Sequence, residues 1–269
     1  MQTEDLKIAI IGAGNMGSYI AIALNRKYPK HIYIFDRNIS KCKMMTDQYG
    51  IHSSTDINNE LNFDVLIIAI KPQQIEPSQE IIKALLTTNT IILTVAAGMP
   101  ISFYEDIFGT QRTIIRAMPT TAAKYSQSAT AAYCKSNVSS NIKDQVNELI
   151  SAMGTVTWLD NEEHIHIATA IAGSGIAYYF TIILQKILIA EKLGLPTEKA
   201  EELTIQAVIG AGSMVKNENL SMNELIQQVT SPNGVTAAAI MAMKDNGIYD
   251  LMESTLHAAI TRSKELGAI

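Results

Sequence analysis

The chain of 269 residues is 47% hydrophobic and 17% charged, with a formal net charge of −5. That length supports one large domain or two ordinary ones with substantial cores, and the composition excludes a disordered chain. With no Lys/Arg cluster in an acidic chain, nucleic acid and anionic membranes are not expected partners.

The acidic stretch Met1-Gln-Thr-Glu-Asp5 runs straight into an apolar strand at 6–11, which argues against a signal peptide. The strand opens onto Gly12-Ala-Gly14-Asn15-Met16-Gly17 and then a helical pattern over 17–28. Gly12 permits the tight turn, Gly14 admits a pyrophosphate to the backbone, and Gly17 lets the helix pack on the strand. The unpaired N–H groups at the helix start then face the phosphates. A second strand, 31–36, ends at Asp36, where a carboxylate can accept from a ribose 2′-OH. This context makes the glycine pattern a dinucleotide-binding turn.

Further strands are expected at 51–54, 65–70, 91–95, 113–118, 130–133 and 155–158, with helices at 39–49, 77–86, 101–107 and 139–152. Such alternation implies βαβ units on a doubly wound, mostly parallel sheet, a Rossmann arrangement. After Trp158 only helices follow, at 161–172, 175–193, 197–217, 221–229, 233–246 and 248–266. The expected organisation is therefore α/β: a dinucleotide-binding domain over 1–160 and an all-helical domain over 161–269.

The helix from 175 carries apolar residues nearly all round, among them Ile176, Phe180, Leu184, Ile187 and Leu188. A helix of that kind is buried, and we expect it at the centre of an obligate dimer; a single-chain core is the alternative. Gln185 and Lys186 interrupt the apolar segment 176–190, which reads as too short and broken to span a bilayer. Cys42 and Cys134, widely spaced, are expected as free thiols in a reducing compartment, so the expected address is cytoplasmic. His164 and His166 point to different helix faces, no metal site is expected, and Glu162 and Glu163 read as first-turn acids favoured by the helix dipole.

Ala69-Ile70-Lys71-Pro72-Gln73, Val95-Ala96-Ala97-Gly98 and Arg116-Ala-Met118-Pro119 follow strands of the first half. Gly173-Ser-Gly175, Gly194-Leu-Pro196, Gly210-Ala-Gly212, Val229-Thr-Ser231-Pro-Asn233-Gly234-Val235-Thr236 and Arg262-Ser-Lys-Glu-Leu266 punctuate the second. In this order, over almost the whole chain, they resemble the pyrroline-5-carboxylate reductase family. The resemblance implies NAD(P)H-dependent reduction of a cyclic imine, 1-pyrroline-5-carboxylate, to L-proline, the last step of proline biosynthesis. It also implies a homodimer, or an assembly of dimers, through the C-terminal substrate-binding and dimerisation domain.

The resemblance assigns roles by position. Ser231 and Thr236 are the candidate catalytic pair, binding the carboxylate and reaching the ring nitrogen, with Asn233, Gly234, Val235 and Gly175 completing the substrate site. From the residues alone, Ser231 and Thr236 serve equally as helix caps, and water competes with Thr236 as proton donor. Cofactor contacts fall to Gly12, Gly14, Asn15, Met16 and Gly17, to Asp36 and Arg37, to Ile70, Lys71 and Pro72, to Ala96, Ala97 and Gly98, and to Met118 and Pro119. Lys71 serves equally as a solvated loop lysine, and Gly173 taken singly as a plain helix breaker.

Several positions depart from the family pattern. Thr120 stands where asparagine is frequent, Ile176 where proline is usual, Leu184 where an acid is usual, and Asn233 where glycine is usual. They keep open a reductase of a related imine or a nucleotide-binding regulatory paralogue. Asp36 opposes the 2′-phosphate of NADPH while Arg37 offsets it, so NADH is expected to be favoured. A β-hydroxyacid dehydrogenase would need Lys186 as its catalytic lysine, and the spacing from Gly175 is wrong for that role.

Overall fold

The computed structural model describes residues 6–57 and 61–267; Met1 to Asp5 lie outside the described residues. Its centre is an eight-stranded sheet: β1 Ile8–Ile11, β2 Ile32–Phe35, β3 His52–Ser54, β4 Val65–Ile68, β5 Ile91–Thr94, β6 Ile114–Met118, β7 Ser128–Cys134 and β8 Gly154–Trp158. The strand order is β3-β2-β1-β4-β5-β6-β7-β8. All neighbours are parallel except β7, which runs antiparallel to β6. The central strands are apolar throughout because both faces are covered. In β1, Ile8 and Ile10 enter one core and Ala9 and Ile11 the other, the two-residue period of a strand dividing the layers.

The chain moves outward from β1 to β3 and returns to β4 beside β1. That reversal is the switch point at which open α/β sheets leave a crevice beyond their carboxyl ends. Helices α1 (Asn15–Lys27), α2 (Ile39–Tyr49), α3 (Gln79–Lys83), α4 (Ile101–Phe108) and α5 (Ser140–Ile150) connect the strands. The helix expected at 77–86 shrinks to α3 preceded by 3₁₀ turns Pro72–Gln74 and Glu76–Ser78. Prolines at 72 and 77 lack the N–H a longer α-helix needs.

The helices beyond the sheet are α6 (His164–Ala168), α7 (Gly175–Lys192), α8 (Thr197–Asn217), α9 (Met222–Gln228), α10 (Val235–Asp245) and α11 (Ile248–Gly267). The described residues form two compact units: those up to Ser174 with those from Ala259, and Gly175–Ala258. The boundary expected near 160 falls inside the first unit, and so does the end of α11.

Gly173-Ser-Gly175 does not break the helical pattern. A π-helical turn, Thr169–Gly173, follows α6, closed by Ser174 N–H donating to the Thr169 carbonyl at 2.8 Å. The helical run therefore extends from His164 to Lys192 and, by length and composition, is long and apolar enough to cross a membrane. This corrects the reading of the segment as too short: the wider i→i+5 turn absorbs the glycines without ending the helix.

Candidate functional site

The glycine turn has the geometry its sequence requires. Gly12 sits at φ +103°, and a Cβ there would stand 2.8 Å from Ile70 Cγ2 and 2.9 Å from the Ala69 carbonyl oxygen. A Cβ on Gly17 would meet the Gly12 carbonyl oxygen at 1.9 Å, so helix α1 can lie this close to β1 only with glycine there. Gly14 differs: nothing stands within 4 Å of a Cβ built on it. It is the N-cap of α1, with no side-chain cap hydrogen bond and no acid in the first turn. Asn15 and Met16 begin that turn. The result is an open approach to uncapped N–H groups, which suits a phosphate.

Asp36 ties the turn to β2. Its Oδ2 accepts from Ala13 N–H at 2.8 Å and its Oδ1 from Asn38 N–H at 2.9 Å, while Lys41 Nζ stands 3.9 Å from Oδ2. A cleft of about 690 Å³ opens beside them at the carboxyl ends of β1, β2 and β4. Gly12, Asp36, Arg37 and Ile70 line it; Lys71 and Pro72, expected as cofactor contacts, do not. The chain turns at Lys71 into the 3₁₀ segment begun by Pro72, and it is Gln73 and Gln74 that face the cleft. Gln73 was quoted only as part of a motif, and Gln74 and Lys41 were not singled out, since a polar residue in a loop or on a helix face carries no signal without its neighbours. These features fit a dinucleotide: an open phosphate approach, a strand-end acid and a cleft of ligand size.

Toward β5 and β6 the remaining cofactor candidates border the same sheet edge. Ala96, Gly98, Met118 and Pro119 are buried and Ala97 half-buried. Gly173, in the π-helical turn, lies against Met118: a Cβ on it would stand 3.8 Å from Met118 Cγ. Thr120, the departure from the family's asparagine, is 3% exposed, and its N–H donates to Ser128 Oγ at 2.9 Å. Ser128 Oγ in turn pairs with Thr130 Oγ1 at 2.9 Å, so a buried hydroxyl chain fixes this strand end.

Sequence reasoning quoted Arg116 only as part of a motif. It is a buried charge on β6, bonded through Nη1 to Glu162 Oε1 at 2.6 Å, with Nη2 lacking a hydrogen-bond partner among the described residues. The available signal was a charge inside an apolar strand, which demands a buried partner. Glu162 is that partner, which replaces its reading as a simple dipole acid. Nearby, burial pushes the Tyr104 hydroxyl up to about 12, while Thr94 Oγ1 donates to it at 2.5 Å. Burial first, and the Arg116 charge second, hold His166 below the usual imidazole range; its Nδ1 pairs with Ser263 Oγ at 2.9 Å.

In the second unit, α10 begins at Val235 with Gly234 as N-cap, no side-chain cap hydrogen bond and no first-turn acid. Gly234 N–H donates to the Ser231 carbonyl at 3.0 Å, closing the turn. Asn233 takes φ +58°, the left-handed region, at the position where the resemblance makes glycine usual. Asparagine is among the few other residues that visit this region readily, so the departure preserves the backbone path. Thr236 is half-buried on the first turn, Val235 is 90% exposed, and Gly175 starts α7. The cofactor candidates thus lie on the first unit's sheet edge, while in the second unit the 231–236 candidates lie at the start of α10 and Gly175 lies within a continuous helical run.

Comparison with known proteins adds to this geometry. The family model described as pyrroline-5-carboxylate reductase dimerisation matches residues 162–266, and NADP oxidoreductase coenzyme F420-dependent matches residues 7–98. The pyrroline-5-carboxylate reductase of Pseudomonas aeruginosa is 35% identical over 97% of this chain and 96% of its own length. Among solved structures, a pyrroline-5-carboxylate reductase from Coxiella burnetii matches with a TM-score of 0.88 at 34% identity, covering 97% of this chain and 98% of that one. The Plasmodium falciparum pyrroline carboxylate reductase, solved with NADP bound, matches with a TM-score of 0.86 at 25% identity, covering 98% and 99%. A sheet edge built for a dinucleotide and full-length similarity to these proteins lead to one conclusion: the chain belongs to the pyrroline-5-carboxylate reductase family.

Proposed function

We propose that the protein reduces 1-pyrroline-5-carboxylate to L-proline with a nicotinamide dinucleotide. The observation that carries this is the glycine turn, closed at Gly12 and Gly17 and open at Gly14, in a chain of this family. A bound reduced cofactor supplies the hydride for the imine carbon; a proton must reach the ring nitrogen. Gly12 to Gly17 hold the pyrophosphate, Asp36 and Arg37 the adenosine ribose, and Ala96 to Gly98 with Met118 and Pro119 border the nicotinamide. The N–H groups at the start of α10 and the Ser231 hydroxyl hold the substrate carboxylate. Thr236 hydrogen-bonds the ring nitrogen and gives or relays its proton.

NADH is favoured over NADPH in this reading, because the Asp36 carboxylate stands in the ribose cleft. Arg37 and Lys41 flank it, so NADPH is still used. Mixing the protein with either reduced cofactor and the imine, and following loss of reduced-cofactor absorbance, tests both statements. Cofactor binding without oxidation would instead favour a nucleotide-sensing paralogue. A kcat/KM for NADPH far above that for NADH would overturn the cofactor preference.

The helical half is the dimerisation region of the family. On α7, Phe180, Leu184 and Leu188 recur at four-residue spacing and are 64%, 52% and 46% exposed in the single chain. Such a stripe calls for apolar cover, and we assign that cover to a second copy in a homodimer, with pairs of dimers allowed. Gln185 and Lys186, both exposed on the same helix, fit a subunit contact better than a bilayer. The protein is expected to run at twice the mass of the chain in light scattering, or at four times for a pair of dimers, and Phe180→Glu to shift it to the monomer mass. The two free thiols fit a reducing compartment and support a cytoplasmic address in this reading.

A further inference from the structure

One carboxylate oxygen holds together two strand ends of the first unit. Glu162 Oε1 accepts from the Ile101 N–H, the first residue of α4, at 2.7 Å and from Arg116 Nη1 at 2.6 Å. Ile101 directly follows the loop 95–100 that leaves β5, and Arg116 stands two residues before Met118 at the end of β6. The same loop is pinned at Gly98, where φ is +87° and a Cβ would stand 2.8 Å from the backbone of Leu266 and Gly267. That last turn of α11 is itself tied to the α6 region by the buried hydrogen bond between Ser263 and His166; the exposed Lys264–Glu163 pair at 3.3 Å adds little to it.

A buried ion pair is a poor source of net stability, because desolvating a guanidinium consumes most of the Coulombic gain. What the pair does supply is fixed geometry. Arg116 is 3% exposed and cannot leave its carboxylate without stranding a charge, and the same oxygen fixes the amide that ends the loop. The β5–β6 ladder sets the spacing of the strands up to Thr94, and Glu162 ties the end of the loop beyond it to Arg116.

We propose that Glu162, through Arg116 and the Ile101 amide, is a positioning residue for hydride transfer: it holds loop 95–100 in register with Met118 and Pro119 and touches neither substrate nor cofactor. This rests on the reading above that those two segments border the nicotinamide. Hydride transfer needs reacting atoms in a near-attack arrangement, so a loop shift below one ångström is felt in kcat.

The test compares Glu162→Gln and Glu162→Ala with the wild type and with Glu163→Gln, whose carboxylate bridges the exposed Lys264. Three quantities are measured: ADP-ribose affinity, which samples the cofactor site without nicotinamide; hydrogen exchange of the peptide covering 95–101 in the free protein; and kcat and KM with NADH and the imine. Expected for both Glu162 variants are unchanged ADP-ribose affinity, faster exchange in that peptide, and a kcat lower by roughly tenfold or more, with the loss smaller in Glu162→Gln. Glu163→Gln should match the wild type. Wild-type exchange and kcat in Glu162→Ala would overturn the proposal, as would ADP-ribose affinity falling in step with kcat. If the wild type binds NADH but never oxidises it, the reaction assignment fails, while exchange and ADP-ribose binding still decide the role of Glu162.

Discussion

Gly17→Ala is expected to lower thermal stability and abolish measurable cofactor binding, whereas Gly14→Ala abolishes binding and leaves stability almost unchanged. The two substitutions add the same methyl group three residues apart. At Gly17 the methyl would stand 1.9 Å from the Gly12 carbonyl oxygen, which is backbone and cannot swing aside. Helix α1 must then back away from β1, and overpacking of this kind costs about 1–3 kcal/mol, occasionally more. At Gly14 the methyl meets nothing within 4 Å, and the backbone sits at φ −73°, which alanine adopts freely. Apart from a small loss of N-cap preference, its effect is to fill the space that the pyrophosphate needs beside the N–H groups of α1. Thermal unfolding and calorimetric titration with NADH separate the two. Gly14→Ala binding NADH like the wild type would mean that the dinucleotide does not cross this turn.

That pair also shows what the sequence made legible. The strands of the first half were readable because each is a short apolar run between turn signals, and the glycine fingerprint fixed where β1 ends. Ser128 and Ala129 of β7 were missed, since small and polar residues in a strand held between β6 and β8 carry little β signal of their own. The helix at 77–86 was overestimated at both ends: Pro77 falls in a 3₁₀ turn, and the α-helix spans only Gln79–Lys83. Gly173 and Gly175 were read as a break because two glycines ordinarily end a helix, and a π-helical turn leaves no mark in residue type. Within the site, Gly12, Gly14, Gly17 and Asp36 could be named from spacing alone. Glu162 and Arg116 could not be paired, being 46 positions apart, until the fold brought the segment after β8 to the Arg116 side chain on β6, two strands away. Thr236 and Ser231 needed the family resemblance, because a hydroxyl before a helix looks the same whether it caps or binds.

The structure bears on that last ambiguity. Helix α10 has no side-chain cap hydrogen bond, and its N-cap is Gly234, not Ser231. The capping explanation for the two hydroxyls therefore loses its geometric support, while the uncapped N–H groups gain an anion as their natural partner. Thr236→Val keeps the branched shape and removes only the hydroxyl, so it tests function with little disturbance of packing. It is expected to lower kcat/KM for the imine by about a hundredfold, the lower range for loss of a general acid, with cofactor affinity and thermal stability retained. Thr236→Ser should recover most of the activity. How the loss divides is informative: a fall in kcat assigns the proton to Thr236, whereas a rise in KM alone assigns the proton to water and leaves the threonine holding the substrate. An unchanged kcat/KM in Thr236→Val would remove this residue from the site, and with it the case for the start of α10 as the place where the substrate carboxylate is held.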